Sequence, residues 1–81
     1  MENATIEVVR AIITRHTLKS IPDSQALLSS HLLDSMSVIE VIVELEDSLN
    51  TRIEYEKIDF KKEFDTIEMI ANYMNRIISS K

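Results

Sequence analysis

The chain contains no glycine and a single proline, Pro22, in 81 residues. Tight primed hairpins depend on residues that accept positive φ, and phosphate-cradling loops depend on glycine, so neither is available. Helices joined by polar connections are the architecture that remains. An 81-residue chain folds as one domain, 1–81, and buries about 60 to 65% of its unfolded surface around one thin core. Cysteine is also absent, so neither a disulfide nor a thiolate metal site can supplement that core.

Apolar spacing locates the helices. Ile6, Val8, Val9, Ile12 and Ile13 recur at three- and four-residue intervals within Thr5 to His16, with Asn3 as the expected N-cap. Lys19 to His31 holds Pro22, Asp23 and four serines around Leu27 and Leu28, a long connection pinned to the core midway. A second helix is expected from Asp34 or Ser35, either of which can cap it, to Leu49 before Asn50. Ile53, Tyr55, Ile58 and Phe60 within 51–63 are spaced too irregularly among charges for a long helix, yet are apolar enough to dock a short third one. The last helix carries the strongest local signal. Asp65 with Glu68 makes a capping box, Phe64 can staple onto Met69, and Ile67, Ile70, Ala71, Met74, Ile77 and Ile78 trace an inner stripe. The fold class expected is all-α: a small bundle of three main helices plus one short helix.

Charge narrows the partners. Fourteen acidic residues against nine basic ones give a net charge of −5, which disfavours nucleic acid and anionic lipid and favours basic protein surfaces. The apolar runs are short and Met1-Glu2-Asn3 does not begin a signal peptide, so a cytoplasmic, monomeric protein without membrane insertion is expected.

The second helix has two different faces. At about 100° per residue, Val38, Val41, Ile42, Leu45 and Leu49 fall on one side, which must meet the core. The other side carries Met36, Ile39 and Val43 among Glu40, Glu44 and Asp47. A solvated face would be polar throughout, so this one has the makings of a docking stripe. Ser35 opens the helix. By helix logic alone it is an N-cap; alternatively, its hydroxyl at a helix amino terminus can carry a phosphodiester, stabilised by the dipole and the unpaired N–H groups.

Leu32-Leu33-Asp34-Ser35-Met36, followed by Val38-Ile39-Glu40-Val41 and Glu44-Leu45-Glu46, resembles the Asp-Ser-Leu motif and second helix of acyl carrier proteins. The likeness continues through Ile53, Phe64-Asp65-Thr66-Ile67, Ile70 and Tyr73, over most of the chain. It implies an acyl-carrier-type bundle that is not an enzyme, with 4'-phosphopantetheine attached to Ser35 from coenzyme A by a magnesium-dependent phosphopantetheinyl transferase. The arm's thiol would hold an acyl or aminoacyl thioester, which fits a carrier without cysteine. A loading ligase and downstream acyl-processing enzymes would be the other partners, meeting Asp34, Met36, Ile39, Glu40, Val43, Glu44 and Asp47. Leu32 stands where most carriers of fatty-acid synthesis have glycine, and Leu33 and Asp34 stand where peptidyl carriers usually have a Gly-Gly pair. His31-Leu32-Leu33-Asp34-Ser35-Met36 more closely resembles the Leu-Leu-Asp-Ser-Phe region of D-alanyl carrier proteins, and Ile58-Asp59-Phe60 before Phe64-Asp65-Thr66 also suits that subgroup, so the resemblance implies an amino acid as well as an acyl group among the candidate cargoes.

Other constellations have plainer readings. Glu44, Glu46 and Asp47 lie on different sides of a helix without a partnering histidine, so no metal or acid–base pair is expected. His31 is read as a solvated loop residue, and Tyr55, Phe60, Phe64 and Tyr73 as packing groups. The competing function is a carrier-fold interaction module that docks a partner through the second helix with Ser35 never modified.

Overall fold

The computed structural model describes residues 3–79, with side chains from residue 5 onward. It is all-helical, with no strand among the described residues. Three long helices, α1 (Asn3–Thr17), α2 (Ser35–Leu49) and α4 (Ile67–Ser79), enclose the core, and a four-residue helix, α3 (Phe60–Glu63), precedes α4. Helix α1 lies against both α2 and α4, while α3 packs on α4. No helix among the described residues is long and apolar enough to cross a membrane.

The expected inner faces are the buried ones. Val9, Ile12 and Ile13 of α1 meet Val38, Val41, Ile42 and Leu45 of α2 and Ile67, Ile70, Ala71 and Met74 of α4 in one cluster. Leu49, Ile77 and Ile78, nearer the helix ends, are only partly covered. Leu27, in the connection between α1 and α2, is fully buried and Leu28 packs beside it, so this segment is pinned midway as its composition suggested.

Several local expectations are corrected. The helix already includes Asn3, and the capping side chain proposed there lies outside the described side chains. The short third helix expected within 51–63 is α3, and a 3₁₀ turn at Tyr55–Lys57 precedes it. Tyr55 is exposed, whereas Phe60, Phe64 and Tyr73 stack edge-on in sequence, with centroids 5.7 and 5.3 Å apart.

The capping box is also different. Thr66 Oγ1, not Asp65, accepts the Met69 N–H at 3.0 Å, and the Glu68 N–H donates to the Asp23 carbonyl at 3.2 Å. Asp65 is turned the other way. Its carboxylate accepts the N–H groups of Leu27, Leu28 and Ser29 at 3.2, 2.8 and 3.0 Å and the Ser29 hydroxyl at 2.7 Å. A carboxylate has capacity for several donors, and three consecutive loop amides need an acceptor more than the helix does once Thr66 caps it. Burial alone would raise the Asp65 pKa, but these hydrogen bonds outweigh it and hold the carboxyl below its ordinary value.

A second tie joins the same loop to α1. Arg10 grips Asp23 through two hydrogen bonds of 3.0 and 2.7 Å, and the Arg10 hydrogen bond depresses the Asp23 pKa. The chain therefore enters α2 from a segment fixed at both Asp23 and Leu27–Ser29.

Without glycine, positive φ falls on Leu18 (60°), His31 (65°) and Asn50 (51°). Asn50 ends α2, its N–H returning to the Glu46 carbonyl, and asparagine tolerates this geometry well. Leu18 ends α1 in the same way, with its N–H donating to the Thr14 carbonyl at 2.7 Å.

Candidate functional site at the start of the second helix

Asp34 has extended backbone geometry (φ −102°, ψ −179°), and its carboxylate accepts the Ser37 N–H at 2.8 Å. Asp34 is therefore the N-cap, and Ser35 is the first residue of the helix itself. The hydrogen bond from the Ser37 amide is the main cause holding the Asp34 carboxyl below its ordinary pKa. The carboxylate beside Ser35 therefore keeps its charge to lower pH than an ordinary aspartate.

This division of labour matters for the serine. The capping work that would have explained a serine here is done by its neighbour, and Ser35 is exposed with no hydrogen bond recorded for its hydroxyl. The Oγ is sterically and chemically free.

Beside it runs a groove of about 540 Å³ between the start of α2 and α3. Leu28, Leu33, Val38 and Phe60 contribute apolar lining, and Ser35, His31 and Lys61 border the same space. The left-handed backbone at His31 turns the chain just before Leu32-Leu33, and the Leu33 N–H returns to the Leu27 carbonyl at 3.1 Å. The Asp65 anchorage of 27–29 thereby fixes one wall of the groove.

The outward stripe of α2 is present as expected: Met36, Ile39 and Val43 are 71, 36 and 52% exposed. Glu40 and Asp47 flank it and are exposed. Glu44 differs. It is half-buried, with Arg15 hydrogen-bonded to one carboxylate oxygen and His16 Nε2 2.5 Å from the other. His16 Nδ1 also faces Glu40 at 3.7 Å. The sequence placed Glu44 correctly on the outer side, but the end of α1 reaches that side and occupies it. Glu46 likewise folds onto the following segment, accepting the Ile53 N–H at 2.8 Å.

Sequence reasoning did not find the contributions of Leu28, Phe60 and Lys61 to the groove, nor the pairing of Arg15 and His16 with Glu44. Phe60 and Lys61 lie 25 or more residues from Ser35, and Arg15 and His16 lie 28 or more from Glu44, a range at which a helical repeat carries no information; Leu28 reaches the groove through the irregular connection, which has no repeat to read. Among the described residues no group of three or more histidine or carboxylate side chains is arranged to hold a metal ion.

The chain matches no family model, no curated protein and no solved structure.

Proposed function

We propose that the chain is a carrier protein in which Ser35 bears a 4'-phosphopantetheine arm and α2 presents that arm to partner enzymes. The observation that carries this reading is the separation of roles at the head of α2. Asp34 caps the helix, while the adjacent Ser35 hydroxyl is exposed and has no structural bond to lose on modification.

The surroundings fit such a group. A phosphodiester on Ser35 Oγ would lie at a helix amino terminus, where peptide dipoles and amide protons favour negative charge. The apolar groove beside it is bordered by His31 and Lys61, which suits an arm with an anionic base and a less polar body. Attachment would form a bond from Ser35 Oγ to the β-phosphorus of coenzyme A, break the pyrophosphate link to release adenosine 3',5'-bisphosphate, and pass the serine proton to a base on the transferase. The attached arm would supply the thiol for a thioester. Met36, Ile39 and Val43, flanked by Glu40 and Asp47, would fix the register of basic partner surfaces and steer their approach. The partners in this reading are the transferase, a loading ligase and acyl-processing enzymes; the cargo is an acyl or aminoacyl group.

Incubation with coenzyme A, magnesium and a broad-specificity phosphopantetheinyl transferase is expected to add one phosphopantetheinyl mass, and Ser35→Ala to abolish the addition. A wild-type chain that stays unmodified would overturn the proposal.

A further inference from the structure

Lys61 is a cation that the fold itself leaves unpaired. Arg10, Arg15 and Lys57 are each held by a carboxylate, whereas Lys61 forms no ion pair among the described residues. It is exposed on α3 and lines the groove beside Ser35. Lys62, the next residue of the same short helix, is also exposed but does not line the groove.

The groove sets the distances. A space of about 540 Å³ is on the order of 10 Å across, and a lysine ammonium on its four-carbon stem reaches roughly 6 Å from its Cα. Phe60, held edge-on against Phe64, lines the groove immediately before Lys61 and fixes where that reach begins. Helix α3 itself packs on α4, and the groove lies between it and the start of α2.

Charge around the groove is uneven. Asp34 borders it with a carboxylate that stays ionised to lower pH than an ordinary aspartate, and a phosphodiester on Ser35 would set a second negative charge beside it. The lining side chains able to offset that charge are His31 and Lys61. A histidine is charged only when protonated, while a lysine is a compact point cation of the kind that binds phosphate.

We infer that Lys61 anchors the phosphodiester on Ser35, its ammonium crossing the groove to a non-bridging phosphate oxygen and so tying α3 to α2 in the modified chain. This rests on the carrier reading given above and adds a named residue to it. The modified and unmodified chains then differ at α3, an element remote from Ser35 in sequence.

The test compares each chain before and after complete modification with coenzyme A, magnesium and a broad-specificity phosphopantetheinyl transferase. In wild type at low salt, modification is expected to move the backbone amide NMR signals of Phe60–Glu63 as well as those beside Ser35. It is also expected to raise Tm by about 1 to 6 °C, the range for one exposed ion pair in a domain of this size. Raising salt from about 0.01 to about 1 M shortens the screening length from about 30 to about 3 Å and should remove roughly half or more of that increment. Lys61→Gln is expected to abolish both the α3 signal shifts and the increment, Lys61→Arg to keep them, and Lys62→Gln to leave them as in wild type. A modified Lys61→Gln chain that responds like wild type would overturn the inference and leave the carrier reading intact, since contact of the arm's less polar body with Phe60 would then account for the shifts. Wild-type α3 signals that do not move, or a Tm increment unchanged by salt, would overturn it as well. Failure of the wild-type chain to be modified would instead remove the carrier reading and this inference with it.

Discussion

Replacing Asp65 with alanine removes one acceptor that serves four donors, and the consequence can be worked out bond by bond. The Leu27 N–H keeps a partner, since it also donates to the Asp65 backbone carbonyl at 2.6 Å, which alanine retains. The Ser29 N–H and hydroxyl are exposed and can turn to water. The loss concentrates on the part-buried Leu28 N–H and on the freedom regained by the buried Leu27 side chain. Hydrogen bonds to a charged acceptor contribute about 1.5 to 3 kcal/mol each when well enclosed. Discounting for partial exposure gives roughly 2 to 3 kcal/mol for the substitution. A domain of this size loses about 4 to 8 °C of Tm per kcal/mol, so thermal unfolding followed by circular dichroism should show a decrease of about 10 to 20 °C. The fold should survive, because 81 residues have a total stability of roughly 4 to 12 kcal/mol. Asp65→Asn keeps an oxygen acceptor and should lose less than about 1 kcal/mol. An alanine variant within about 0.5 kcal/mol of wild type would refute the idea that this carboxylate anchors the connection.

Further outcomes follow from the same contacts. Asp65 titrates below its ordinary value in the folded chain, so its contribution is present above an unfolded pKa near 3.8 and is lost as pH falls through the lower folded value. Asp65→Asn should therefore flatten the acid limb of a stability-against-pH curve measured by urea unfolding. Because Asp34 is the cap, Ser35→Ala should change stability by less than about 0.5 kcal/mol, whereas Asp34→Ala should lower Tm visibly in the same thermal scan. Leu45→Ala, at a fully buried position of α2, should cost about 2 to 5 kcal/mol in denaturant titration. Glu40→Lys or Asp47→Lys should slow partner association more at low salt than at high salt, while equal slowing at both would exclude electrostatic steering.

How much of this was legible in the sequence depends on the range of the interaction. Val38, Val41, Ile42 and Leu45 declare their buried face through spacing alone, as do Ile67, Ile70, Ala71 and Met74. The exposed stripe of Met36, Ile39 and Val43 follows from the same rotation. Asp65 shows where that logic ends. Asp65 and Thr66 both satisfy the local pattern of a cap, and the choice between them is made by loop amides 36 to 38 residues away. Glu44 is similar: its side of the helix was predictable, but not that Arg15 and His16 would reach across to hold it. Ser35 was ambiguous for the opposite reason. Two adjacent residues could cap α2, and only the hydrogen bond from the Ser37 amide to Asp34 assigns the task and leaves the serine free.

The most direct test of the carrier reading is peptide mass spectrometry of the protein purified from its native host. The account predicts a population in which the peptide containing Leu33-Asp34-Ser35-Met36 carries one phosphopantetheinyl group on Ser35. Recovery of that peptide only in its unmodified form, from cells in which other carriers are modified, would contradict it and favour an interaction module that uses α2 without an arm.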